Sequence, residues 1–139
     1  MNTSYTILYV DDDHDDLMLI AEAFEKYTSN LRVINAYNGQ DAVSKLKTMK
    51  DQGSLPCLVI IDINMPVMNG KELLQKIRSN DDLKEVPVVL FSTSNNPKDK
   101  FFAQDLDADF ITKPVTFSNL NSLVSQFVTR CKFEVTKRA

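Results

Sequence analysis

Short apolar runs alternate along this chain with stretches whose apolar residues recur every three or four positions. "YTILYV" (Tyr5–Val10) is apolar and ends abruptly in acid, the pattern of a buried strand. Leu17, Ile20, Ala21 and Phe24 then repeat at helical spacing. "LRVINA" (Leu31–Ala36) predicts a second strand, Asn38-Gly39 a break, and Ala42, Val43, Leu46 and Met49 a second helix. "CLVIID" (Cys57–Asp62) is almost wholly apolar, as a central parallel strand requires. Gly70 precedes a helix carrying Leu73, Leu74 and Ile77. "VPVVLFS" (Val86–Ser92) predicts a fourth strand, with Pro87 tolerable only at its start. Pro97 suits the first turn of a short helix running to about Leu106. "ADFITK" (Ala108–Lys113) predicts a fifth strand, and Leu120, Leu123, Val124, Phe127 and Val128 a last amphipathic helix.

The alternation is (βα)5. Short connections between such units imply an α/β fold: a doubly wound, five-stranded parallel sheet with helices on both faces. The 139 residues are one domain's worth, with no internal repeat or linker. We expect the domain over 1–130, a frayed tail over 131–139 and no output domain. A net charge of −3 gives no global reason to expect nucleic acid or an anionic membrane as partner. No stretch approaches the roughly 18 apolar residues of a membrane span, and the N-terminus lacks the basic and apolar regions of a secretion signal. Cys57 and Cys131 lie far apart among apolar neighbours, which predicts packed, reduced thiols in a cytoplasmic protein.

In doubly wound sheets, ligands bind beyond the carboxyl ends of the strands. There the sequence puts Asp11, Asp12 and Asp13 after strand one, Asp62 after strand three, Ser92, Thr93 and Ser94 after strand four, and Lys113 after strand five. Convergent carboxylates repel unless a cation neutralises them, and oxygen-only ligands select hard ions such as Mg²⁺. Without the metal, at least one of Asp11, Asp12 and Asp62 should have a raised pKa. A carboxylate can also attack phosphorus, with a metal, an ammonium and a hydroxyl neutralising the transferred charge. The rest of the cluster "DDDHDD" has simpler readings. Asp13 suits a helix cap, Asp15 and Asp16 the positive end of a helix dipole, and His14 a solvated loop. Asp11, Asp13, Asp15 and Glu22 mimic an EF-hand spacing, but Asp16 stands where that loop needs Gly. Met65 and Met68 suit loop packing.

Four motifs in order, "ILYVDDD", "VIIDINMPVMNG", "PVVLFST" and "DFITKPV", resemble the response-regulator receiver domains of two-component signalling, from about Tyr5 to Val128. The resemblance implies the CheY-like strand order 2-1-3-4-5. It implies that Asp62 takes a phosphoryl group from a phosphohistidine of a histidine kinase or phosphotransfer protein. Mg²⁺ would be held by Asp12, Asp62 and the backbone carbonyl of Asn64, with Asp11 acting through a water. Lys113 would pair with the phosphoryl oxygens and Ser92 would hydrogen-bond one of them. Phe110 would be the switch aromatic, in place of the frequent Tyr, and Asn64 and Ser94 would tune hydrolysis. The Lys113–Pro114 bond would be cis. The surface of the fourth helix, fifth strand and fifth helix would then meet a downstream effector, in a monomer or weak dimer. Such a protein is a switch and not a turnover enzyme. Two other readings compete. A Mg²⁺-dependent phosphohydrolase would need an acid where Asn64 stands, and a flavin carrier would need a phosphate loop where the aspartates stand.

Overall fold

The computed structural model describes residues 5–27, 31–65, 68–93, 95–114 and 119–138, with side chains described as far as residue 131. Five strands, β1 (Tyr5–Val10), β2 (Leu31–Ala36), β3 (Leu58–Asp62), β4 (Val88–Ser92) and β5 (Asp109–Thr112), alternate with five helices. The helices are α1 (His14–Tyr27), α2 (Gly39–Asp51), α3 (Gly70–Ser79), α4 (Pro97–Asp105) and α5 (Leu120–Arg138). The sheet is parallel throughout, in the order β2-β1-β3-β4-β5.

Side-chain alternation along the strands builds two cores. Leu8, Val10, Val59, Ile61, Val88 and Leu90 face α2, α3 and α4. Ile7, Tyr9, Leu58, Ile60, Val89 and Phe91 face α1 and α5, where Phe127 stacks on Phe24 and meets Phe91 edge-on. Every residue of β3 and β4 is buried, which explains why those segments carry little polar character before their last residue.

Register determines what meets at the sheet's carboxyl edge. Val10 pairs with Ile61, so Asp11 stands level with Asp62. Asp62 pairs with Phe91, and Ser92 with Thr112, so Lys113 follows one residue beyond.

Local signals set the loops around this edge. Asp13 Oδ1 accepts from the Asp15 and Asp16 amides at 3.0 and 3.2 Å, capping α1. Asn69 and Glu72 form a capping box on α3. Gly70 is required by close approach: a Cβ there would lie 2.5 Å from the Asp62 carbonyl oxygen. The same contact presses α3 against the end of β3. Asn64 and Met65 follow β3, and Met65 is buried as expected of loop packing. Met68 fills the space beside Gly39.

Three expectations are corrected. Cys57 and Cys131 form a disulfide and are not separate thiols, because α5 crosses the foot of β3 and brings their Cα atoms to 5.0 Å. Residues 131–138 are not frayed: α5 continues to Arg138, with Val128 and Cys131 extending its buried stripe. The Lys113–Pro114 bond is trans, as are all described peptide bonds. Trans is the default even before proline. No helix among the described residues is long and apolar enough to cross a membrane.

Candidate functional site

Asp11, Asp12 and Asp62 bring one carboxylate oxygen each to within 4.8 Å of one another. Asp11 is wholly buried and Asp62 nearly so, while Asp12 is exposed at the rim. Asp11 Oδ1 accepts from the Asp13 amide at 3.0 Å, and Asp62 Oδ1 from the Asn64 amide at 3.2 Å. Beneath them the buried Tyr9 hydroxyl donates to Asp11 Oδ2 at 3.4 Å. Burial, then the charges of Asp11, Asp16 and Asp62, hold that phenol far above its ordinary range, so it stays a donor.

Lys113 reaches into this group from β5 with only 8% of its side chain exposed. Its Nζ lies 2.7 Å from Asp16 Oδ2, 2.9 Å from Asp11 Oδ2 and 4.0 Å from Asp62 Oδ2. Burial pulls its pKa down, but hydrogen bonds to Asp16 and Asp11 and the charges of Asp11 and Asp62 more than reverse that. The ammonium therefore stays charged. Its ring neighbour is Phe91, 5.4 Å away.

One cation does not neutralise these carboxylates. The Asp62 carboxyl is pushed up to about 7, first by burial and then by Asp11, against the opposing pull of Lys113 and the Asn64 amide. This matches the expectation that one of the three would be raised. The donor set is all oxygen, anionic and under-compensated, so it fits a hard divalent cation. Beside it opens a cavity of about 350 Å³ lined by Asp13, Asp16, Asp62, Asn64, Thr93, Lys113 and Pro114.

The remaining predicted residues divide. Ser92 is wholly buried, and its carbonyl accepts from the Lys113 amide at 2.7 Å; Thr93, one residue on, lines the cavity. Phe110 is half-buried against the α2–α4 core, with Lys100 Nζ 5.9 Å from its ring. Ser94 lies outside the described residues. His14 stacks on Tyr37, with centroids 4.7 Å apart. Asp16 is more than helix-start electrostatics, since it makes the shortest contact to Lys113. Tyr9 and Asp16 were the two contributors the sequence did not reveal. Tyr9 reads as core, and Asp16 needs the fold to bring Lys113 to it.

In doubly wound sheets ligands bind in the crevice beyond the carboxyl ends of the strands, and that is where this acidic, lysine-bearing edge lies. Residues 7–125 match the family described as the response regulator receiver domain, and the chain belongs to that family of two-component signalling proteins. It is 30% identical over 126 residues to Response regulator Rcp1 of Synechocystis sp., covering 88% of this chain and 86% of that one. It is also 30% identical over 125 residues to the Probable methanogenesis regulatory protein FilR2 of Methanothrix harundinacea, covering 88% and 80%. Among solved structures, the phosphorylated cyanobacterial phytochrome response regulator RcpA superposes with a TM-score of 0.81 at 34% identity, covering 90% of this chain and 91% of that one. The Mn²⁺-bound form of Rcp1 gives 0.77 at 29%, covering 90% and 92%.

Proposed function

We propose that this chain is a phosphoacceptor switch in which Asp62 is the nucleophile. The observation that carries the reading is the under-compensated carboxylate group at the end of β3, with a buried ammonium held 4.0 Å from Asp62. Similarity to a phosphorylated RcpA and a Mn²⁺-bound Rcp1 supports it.

The step balances simply. An Asp62 carboxylate oxygen attacks phosphorus of a phosphohistidine on a histidine kinase or phosphotransfer protein. The oxygen–phosphorus bond forms, the phosphorus–nitrogen bond breaks, and the electron pair returns to the imidazole, which takes up a proton. Lys113 meets the phosphoryl oxygens, and the Ser92 hydroxyl is assigned a hydrogen bond to one of them. Asp12, Asp62 and the Asn64 carbonyl would hold Mg²⁺, with Asp11 behind them through a water. The bound ion would supply neutralisation of charge on carboxylate and phosphoryl oxygens. Asn64 and Ser94 would set how fast water removes the phosphoryl group. Asn64 has no acid–base capacity to expel a leaving group, which favours a switch over a phosphohydrolase.

Occupancy of the site is read out by the surface of α4, β5 and α5, with Phe110 as the side chain that answers it, and a downstream effector protein binds there. The test is intact mass after incubation with Mg²⁺ and acetyl phosphate. One phosphoryl gain, labile to base and absent in Asp62→Asn, is the expected result. No gain in the wild type with several small phosphodonors would contradict the reading, and rapid turnover of varied phosphoesters would replace it with a hydrolase.

A further inference from the structure

Asp15 and Asp16 carry the same charge in the same helical turn, yet only Asp16 reaches the site. Its side chain is 20% exposed, and the Asp13 cap that accepts from its amide fixes its place. Asp16 Oδ2 lies 2.7 Å from Lys113 Nζ and Asp11 Oδ2 lies 2.9 Å away.

An ammonium has three donors and no acceptor. Two are taken by Asp16 and Asp11. Asp62 at 4.0 Å is beyond hydrogen-bonding distance. Phosphoryl oxygens on Asp62 would stand two bonds farther out than its carboxylate oxygen, where an ammonium held at this standoff can meet them. Without the second anchor, Lys113 is free to close on Asp62, and a direct ion pair would occupy the lone pairs needed for attack on phosphorus.

We propose that Asp16 is a positioning residue for phosphoryl transfer: with Asp11 it holds Lys113 back from Asp62 and leaves the third N–H for a phosphoryl oxygen. This role rests on Asp62 being the phosphoacceptor. It differs from simple charge in sign. As a mere negative charge at the cavity mouth, Asp16 would repel an anionic donor, and removing it would speed phosphorylation. As a positioning residue, removing it slows the chemical step.

The test compares full-length wild type, Asp16→Asn and Asp15→Asn. Phosphorylation by acetyl phosphate is followed across donor concentrations at saturating Mg²⁺, to separate the limiting first-order rate constant of the single turnover (kcat) from the half-saturating donor concentration (KM). Asp16→Asn should lower kcat about three- to tenfold and leave KM within about twofold, while Asp15→Asn leaves both within about twofold. In parallel, the ¹⁵N resonance of the Lys113 ammonium is recorded without Mg²⁺. It should move in Asp16→Asn and stay in Asp15→Asn. An unchanged or higher kcat in Asp16→Asn overturns the proposal, as does an unmoved ammonium resonance. If the wild type itself gains no phosphoryl group, the phosphoacceptor reading fails first and the positioning role falls with it.

Discussion

Asp62 should destabilise the fold in which it sits. Its carboxyl is raised from 3.8 to about 7 because burial and Asp11 both oppose its charge. That difference corresponds to about 4 kcal/mol between charged and neutral forms. Local relaxation and water entry reduce it, so replacing the charge with an isosteric amide should stabilise the metal-free protein by about 2–4 kcal/mol above neutral pH. The sign follows from linkage. Below pH 3.8 the group is protonated in both folded and unfolded chains and costs nothing. As pH rises, the unfolded chain ionises first, and the native state loses stability until pH passes about 7. The advantage of Asp62→Asn should therefore be under about 1 kcal/mol near pH 4.5 and complete near pH 8. Mg²⁺ should close the gap from the other side by stabilising the wild type at RT ln(1 + [Mg²⁺]/Kd). Urea unfolding of both proteins near pH 4.5 and pH 8, in chelator and in Mg²⁺, measures all of this. Equal stabilities near pH 8 in chelator would refute the reasoning, as would an advantage that grows on acidification.

Two further predictions concern parts of the fold away from the site. Arg78 reaches from α3 to the carbonyls of Lys84, Val86, Leu106 and Asp107, joining three segments with one guanidinium. Arg78→Ala should cost about 2–4 kcal/mol in urea unfolding, since part-buried carbonyls lose their donor, and Arg78→Lys should recover less than half. The Cys57–Cys131 disulfide closes a separation of 74 residues. Reduction, or Cys131→Ser, should lower stability by about 2–4 kcal/mol. Equal unfolding midpoints with and without reductant would contradict a formed bond.

The fold was legible because each element carried its own period. Cys57–Asp62, apolar up to its last residue, read as a central strand, and the apolar stripes Leu17, Ile20, Phe24 and Leu120, Leu123, Val124, Phe127 read as helices; which helices share a face came only with the structure. The main site was legible because strand ends are where side chains of doubly wound sheets converge, so Asp11, Asp62, Ser92 and Lys113 could be assigned to one edge before any geometry was known. What stayed hidden depends on distances between residues remote in sequence. Asp16 has an ordinary helix-start position, and only the docking of β5 beside it gives it a 2.7 Å contact. Two isolated cysteines carry no spacing signal, and only the crossing of α5 over β3 joins them. The cis bond at Lys113–Pro114 was implied only by resemblance, and the bond is trans, the default state even before proline. The tail lacked a strong stripe of its own beyond Val128, so its helix extends a pattern that the sequence alone leaves weak.

The central claim is that Asp62, among several neighbouring aspartates, receives the phosphoryl group. The most direct measurement is reductive trapping. The protein is phosphorylated with acetyl phosphate and Mg²⁺, treated with borohydride to convert aspartyl phosphate to homoserine, digested, and sequenced by mass spectrometry. The account predicts homoserine at position 62 and unmodified aspartate at positions 11, 12, 13, 15 and 16. Homoserine at any of those five, or trapping at position 62 that persists without Mg²⁺ at an undiminished rate, would contradict it.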